Sequence, residues 1–149
     1  MDRAKLLEAQ MRNKRLRFCK EWCNNGIEIS MNDFLDPKMI GEGYVLSLID
    51  NFDAQKKGIV CSLDSGLEEF KGQVNKNIYK DEEYVFFEEN SSEIGAIKLS
   101  GTIILNNIEF IIENSGLNHG WSDIFICSPD FEKGVCLWRS EYDTRIYVW

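Results

Sequence analysis

The chain's one histidine, His119, stands four residues before Asp123 in the stretch Gly116-Leu117-Asn118-His119-Gly120-Trp121-Ser122-Asp123, and five cysteines are spread along the chain. An imidazole titrates near neutral pH, so His119 oriented by Asp123 and paired with a cysteine thiol would make a nucleophilic site. Such a site needs nucleophile, base and orienting group within mutual reach. Around His119, Asn114, Ser115, Gly116, Asn118 and Gly120 are all turn formers. The local sequence therefore puts His119 on a loop between two strands. There, a structural or merely exposed turn histidine is expected rather than a catalytic one, with contact to a partner still open to it.

Cys19 and Cys23 stand at i and i+4, a spacing that presents two thiolates to zinc from one helix face. A closed zinc site takes four ligands, and Cys61, Cys127 and Cys136 are isolated, with no C-x-x-C pair. Buried cysteines acting as small apolar groups are expected instead. Pro129-Asp130 opens like a metal-dependent nuclease motif, but no lysine follows Lys133 to complete an acidic-x-Lys element. The stretch reads as a turn, punctuated by Pro129 and Gly134. Gly41-Glu42-Gly43 lacks the third glycine and the Lys-Ser/Thr pair of a phosphate loop. Asp81-Glu82-Glu83 and Glu88-Glu89 supply carboxylates, but a glycosidase needs two that face each other, and neighbours in a run form a solvated face. With no EF-hand pattern either, no metal, cofactor or catalytic residue is assigned, and a non-enzymatic protein is expected.

Charge is more informative. The chain has 17 basic and 25 acidic residues, a net of −8. Residues 1–25 carry +4, from Arg3, Lys5, Arg12, Lys14, Arg15, Arg17 and Lys20 against Asp2, Glu8 and Glu21, which leaves −12 on residues 26–149. An acidic body repels nucleic acid and anionic membrane and attracts basic partners. The basic segment resembles a phosphate-binding helix, yet docking onto its own acidic body is the simpler expectation. The N-terminus has no apolar core of a secretory signal, and the odd cysteine count fits reduced thiols. A single cytoplasmic domain over 1–149 is expected, with a basic amphipathic helix at 1–25 and an acidic, strand-rich body at 26–149.

The elements that must position these residues follow from periodicity. Leu7, Met11, Phe18 and Trp22 mark one face of a helix over 3–24, and Asn24-Asn25-Gly26 stops it. Ile27–Met31 alternates like a short strand, and Tyr44–Ile49 and Ile59–Leu63 are further candidates. A second helix is expected from a capping box at Ser65-Gly66-Leu67-Glu68, burying Leu67, Phe70, Val74 and Ile78. From residue 84 the pattern predicts strands only: 84–87, 97–105, 108–112 across an Asn106-Asn107 turn, 124–127, 135–138 and 146–149. The predicted class is α+β, a mainly antiparallel sheet of about six to eight strands with an N-terminal helix and one further helix.

Near its end the chain gathers Trp138, Tyr142, Tyr147 and Trp149 among Glu132, Glu141 and Asp143. Aromatic side chains among carboxylates suit a protein interface, with core packing as the ordinary alternative for Trp138. Together with its size, acidity and clusters such as Asp81-Glu82-Glu83 and Asp130-Phe131-Glu132, the chain resembles bacterial toxin-immunity proteins. The resemblance implies a cytosolic inhibitor that occludes the basic active cleft of a toxin, a nuclease among the candidates, with no nucleic-acid or membrane partner. On that basis Asp81, Glu82, Glu83, Asp130, Glu132, Glu141, Tyr142 and Asp143 are the expected partner-binding residues. Two other classes compete: an enzyme built on His119, Asp123 and a cysteine, and an adaptor docking through its N-terminal helix.

Overall fold

The computed structural model describes residues 2–35, 58–87, 94–114, 123–139 and 143–149. Helix α1 spans Arg3–Asn24; the Asp2 carboxylate accepts the Ala4 N–H at 3.3 Å, and the helix is capped by Asn25 ahead of Gly26 at φ +83°. The expected strand at 27–31 is not formed. Ile27 and Ile29 are buried, and the chain then makes one 3-10 turn, Met31–Asp33. Asp33 Oδ2 accepts the Ser30 N–H at 2.8 Å while Ser30 Oγ accepts the Asn32 N–H at 3.3 Å. This reciprocal capping outweighs the weak alternation of so short a segment.

Six strands follow: β1 (Ile59–Cys61), β2 (Glu83–Phe87), β3 (Ile97–Ser100), β4 (Ile124–Cys127), β5 (Gly134–Arg139) and β6 (Thr144–Val148). They form one antiparallel sheet in the order β1-β6-β5-β4-β2-β3. The α+β class and the antiparallel sheet are as the sequence predicts, with six strands among the described residues. β4, β5 and β6 are a meander and β2–β3 a neighbouring pair, while β1 lies at the far edge beside β6. The candidate strand at 44–49 lies outside the described residues.

Helix α2 spans Leu63–Asn77 and begins earlier than expected, because Ser62, not Ser65, is its cap: Ser62 Oγ accepts the Ser65 N–H at 3.4 Å. Phe70 and Val74 are fully buried from it. The largest departure is at 101–113. The predicted strand 97–105 stops at Ser100, and the rest folds as α3 (Gly101–Asn106) and α4 (Ile108–Glu113). Ser100 Oγ caps α3 by accepting the Ile103 N–H at 3.2 Å, and Asn107 Nδ2 donates back to the Ile103 carbonyl at 2.9 Å. Gly101 passes so close to the Tyr79 carbonyl that any Cβ there would collide with it. Ile104 from α3 and Ile111 and Ile112 from α4 are buried in the core, with Ile108 packed against it, and that burial overrides the strand preference of isoleucine.

The helices cover one face of the sheet. Tyr84, Phe86, Leu99, Ile124, Ile126, Val135, Leu137 and Ile146 meet Phe70, Val74, Ile104 and Ile111 there. Trp22 joins them from the last turn of α1, stacked on Phe18 at 4.9 Å and edge-on to Phe110 at 5.4 Å. On the opposite face Val85, Phe125, Cys127, Cys136 and Tyr147 form a second apolar cluster, flanked by half-buried Trp138 and Trp149.

Apolar, cation–π and hydrogen-bond contacts hold the C-terminal half of α1 among the described residues. It is anchored by Phe18 and Trp22 and by Arg15, whose Nε donates to the Ile94 carbonyl at 2.8 Å and whose guanidinium lies 5.2 Å from the centre of the Phe34 ring. Residues 2–10 are exposed throughout. Of the predicted stripe, only Trp22 is fully buried; Phe18 and Met11 are half-buried, and Leu7 is exposed. Among the described residues no helix is long and apolar enough to cross a membrane.

Candidate functional site

The sheet has two chemically different ends. At one, strand β2 starts at Glu83, the β4–β5 turn spans 128–133, and β3 runs out at Ser100. At the other, β4 starts beside Asp123 and β6 starts beside Asp143.

The first end gathers most of the predicted partner-binding residues. The β4–β5 turn is closed by Ser128, whose N–H donates to the Lys133 carbonyl at 2.8 Å and whose hydroxyl donates to Asp130 Oδ1 at 2.6 Å. Asp130 Oδ1 also accepts the Glu132 N–H at 3.1 Å. These two donors hold the Asp130 carboxyl below its ordinary pKa, the serine hydroxyl first. Phe131 takes the left-handed conformation at φ 60°, and its carbonyl accepts Trp149 Nε1–H at 3.0 Å. The turn is therefore rigid, with Glu132 on its outside.

Lys133 joins this turn to the α2–β2 connection. Its ammonium lies 2.9 Å from Glu82 Oε2 and 5.8 Å from the centre of the Tyr79 ring. The Tyr84 phenol, buried on β2, donates to the same Glu82 oxygen at 3.0 Å and accepts the Tyr79 N–H at 2.9 Å. Lys133 and then Tyr84 draw the Glu82 carboxyl below its usual pKa. Asp81-Glu82-Glu83 and Asp130-Phe131-Glu132, far apart in sequence, thus form one patch. Asp81, Glu83 and Glu132 are exposed and make no side-chain hydrogen bond or ion pair among the described residues. Tyr79, 57% exposed, belongs to the same connection, with its ring beside the Lys133 ammonium. Sequence reading missed Tyr79, Tyr84, Ser128 and Lys133. The one available signal was a lysine closing an otherwise acidic turn.

Asp143 is not part of this patch. It is half-buried at the opposite end, with Oδ1 3.4 Å from Arg145 Nε. The length of β5 separates the two ends by roughly 17 Å. Glu141 and Tyr142 lie outside the described residues.

The competing nucleophilic site would join His119, Asp123 and a cysteine. His119 lies outside the described residues. Asp123, half-buried, accepts the Arg139 N–H at 2.8 Å. Its carboxyl is pushed up to about 6 by burial, despite that hydrogen bond and the Arg139 charge. Cysteine chemistry needs a lowered thiol pKa, yet burial raises Cys19, drives Cys127 up to about 12 and lifts Cys136 well above the usual value. The expected buried cysteines are Cys127 and Cys136. Of the i, i+4 pair, Cys23 is exposed, while half-buried Cys19 packs against the core. No group of three or more His, Cys, Asp and Glu suited to a metal occurs among the described residues.

Residues 19–149 match the family described as YxiF protein, and the chain belongs to that family. No curated protein and no solved structure matches it.

Proposed function

We propose that this member of the YxiF family is a cytosolic inhibitor of the immunity-protein kind, which binds a basic toxin domain and occludes its active cleft. The observation that carries the reading is the patch at the Glu83 end of the sheet. Asp81, Glu83 and Glu132 are exposed and unpaired among the described residues, and they share with exposed Tyr79 an end of the sheet fixed by the Ser128 turn and the Lys133–Glu82 bridge. Interfaces draw affinity from exposed aromatic side chains and steering from charge, and this end of the sheet offers both. A cleft built to hold phosphate is basic, so a nuclease is the toxin class it complements best.

The test is a pull-down of the tagged protein from its own cells, with native mass spectrometry under rising salt, repeated with Asp81→Lys/Glu83→Lys/Glu132→Lys. The reading expects a stoichiometric basic partner that salt weakens, that the triple variant loses and whose activity the protein abolishes. Substrate turnover by the protein alone, or unchanged capture by the triple variant, would overturn it.

A further inference from the structure

Helix α1 carries two apolar stripes, and the body uses one of them. Trp22 is buried against Phe86, Phe18 lies edge-on to Phe34, and Arg15 is held by the carbonyls of Ile94 and Leu35. At about 100° per residue, Leu6, Ala9, Asn13 and Leu16 fall on nearly the opposite side of the helix from these three. All four are exposed, the two leucines at 45% and 47%. An open groove runs along this outer side, lined by Lys5, Glu8, Ala9, Arg12, Asn13 and Leu16.

The outer stripe has the spacing of a coiled-coil seam. Steps of three, four and three residues make Leu6 and Asn13 a positions and Ala9 and Leu16 d positions. The e and g positions beside them are Arg3, Lys5, Gln10, Arg12 and Arg17, so every charge flanking the seam is positive. Glu8, the one carboxylate lining the groove, falls at c, outside those flanks. Arg3, Lys5, Glu8, Arg12 and Arg17 form no side-chain hydrogen bond or ion pair among the described residues.

We propose that this outer face of α1 is the docking site for an acidic amphipathic helix of a partner protein. The partner lays its own apolar seam on Leu6, Ala9 and Leu16 and sets flanking carboxylates against Lys5, Arg12 and Arg17. Residues 1–25 carry +4, which is the local charge such a helix meets. A second copy is a poor occupant, because two α1 helices in either orientation place basic flank beside basic flank. A nucleic acid would use the basic side chains but leave the leucines between them without a partner. For a bilayer surface, two leucines and an alanine broken by Asn13 offer little apolar area to insert. Asn13 within the seam selects a partner with a polar group opposite it, and so fixes the register. The site shares no residue with the surface assigned above to a toxin and stands independently of that reading.

The experiment is fluorescence anisotropy of labelled three-heptad peptides titrated with the full chain. The acidic probe has leucine at a and d, one asparagine at its central a position, and glutamate at e and g. One control peptide replaces the glutamates by lysine, and the other replaces the leucines by serine. The expected result is saturable binding of the acidic probe, at least about tenfold tighter than either control. Leu6→Gln/Leu16→Gln should lose that binding. Arg12→Glu/Arg17→Glu should lose it too, and bind the lysine peptide instead. All four positions are exposed, and circular dichroism checks that both variants keep their helix. Asp81→Lys/Glu83→Lys/Glu132→Lys should still bind the acidic probe, so the two surfaces fail separately. No binding of that probe, equal binding of the serine control, or indifference to either pair of substitutions in α1 would overturn the proposal. So would a wild-type dimer in sedimentation velocity that Leu6→Gln/Leu16→Gln abolishes, which would give the face to a second copy. Tighter binding of single-stranded RNA or phosphatidylserine vesicles through the same residues would likewise overturn it, in favour of a polyanion.

Discussion

The ammonium of Lys133 sits 2.9 Å from Oε2 of Glu82, the oxygen that also accepts the Tyr84 phenol at 3.0 Å. A half-exposed ion pair of this kind adds little stability on its own. Its effect is geometric: it fixes a hairpin tip to the entry of a strand, so that two acidic segments distant in sequence share one surface.

The Tyr84 hydroxyl is the buried part of that junction, and removing it tests the framework without touching an exposed charge. Tyr84→Phe leaves the ring in the core but strands the Tyr79 N–H, which the phenol oxygen accepts at 2.9 Å. A loss of about 1–2 kcal/mol is expected in urea unfolding, with an unchanged slope. A variant as stable as the wild type would mean that water or another acceptor replaces the phenol.

Asp123 gives the fold a pH dependence of definite sign. Burial raises its carboxyl from 3.8 to about 6, so the native state holds a proton that the unfolded chain releases between those values. The associated stability is present below about pH 4 and is lost as pH rises through about 6, at most about 3 kcal/mol. Asp123→Asn keeps a carbonyl acceptor for the Arg139 N–H and removes the titration. It should match the wild type in urea unfolding near pH 4 and exceed it near pH 7; a constant offset across that range would refute the assignment.

The two parts of α1 should respond differently to truncation. Trp22→Ala removes a side chain 2% exposed that touches Phe18, Phe86 and Phe110, and should cost about 3–5 kcal/mol. Leu7→Ala, on the same helix face but 56% exposed, should change stability by less than about 0.5 kcal/mol in dilute protein. Comparable losses at both positions in thermal unfolding would show that Leu7 packs on its own body.

Thr144 offers a stabilising substitution. Its Oγ1 is buried against α2 beneath Gly66 and finds no hydrogen-bond partner among the described residues. Thr144→Val keeps the shape and removes the unpaired hydroxyl, so a gain of about 1 kcal/mol is expected. Denaturant titration checks it, and a loss would reveal a partner for the hydroxyl.

Where hydrophobic period and punctuation agreed, the sequence was a good guide. The strands around 84–87, 124–127, 135–138 and 146–149, and the stop of α1 at Asn24-Asn25-Gly26, all lie close to where they are found. It misled at 101–113, where a run of isoleucines satisfies strand and helix patterns alike. The deciding factors there, the Ser100 cap and the close passage of Gly101 by Tyr79, depend on neighbours. The candidate surface was legible as two acidic clusters but not as one patch, because joining them needs the β2–β4 pairing and the reach of Lys133. Asp143 was grouped with them for its aromatic surroundings, and strand direction carries it to the other end.

The position of β6 has a consequence for how the protein comes to be made. Last of the six strands in chain order, it lies between β5 and β1, and pairs Ile146 with Ile59 across most of the chain. During synthesis β1 emerges early and must wait for β6, its neighbour among the described residues, until nearly everything after it has been translated. Closing so long a loop is slow. The β1 edge is thus the stretch of the nascent chain that stays longest open to wrong pairing, and the place where a chaperone would have most to shield.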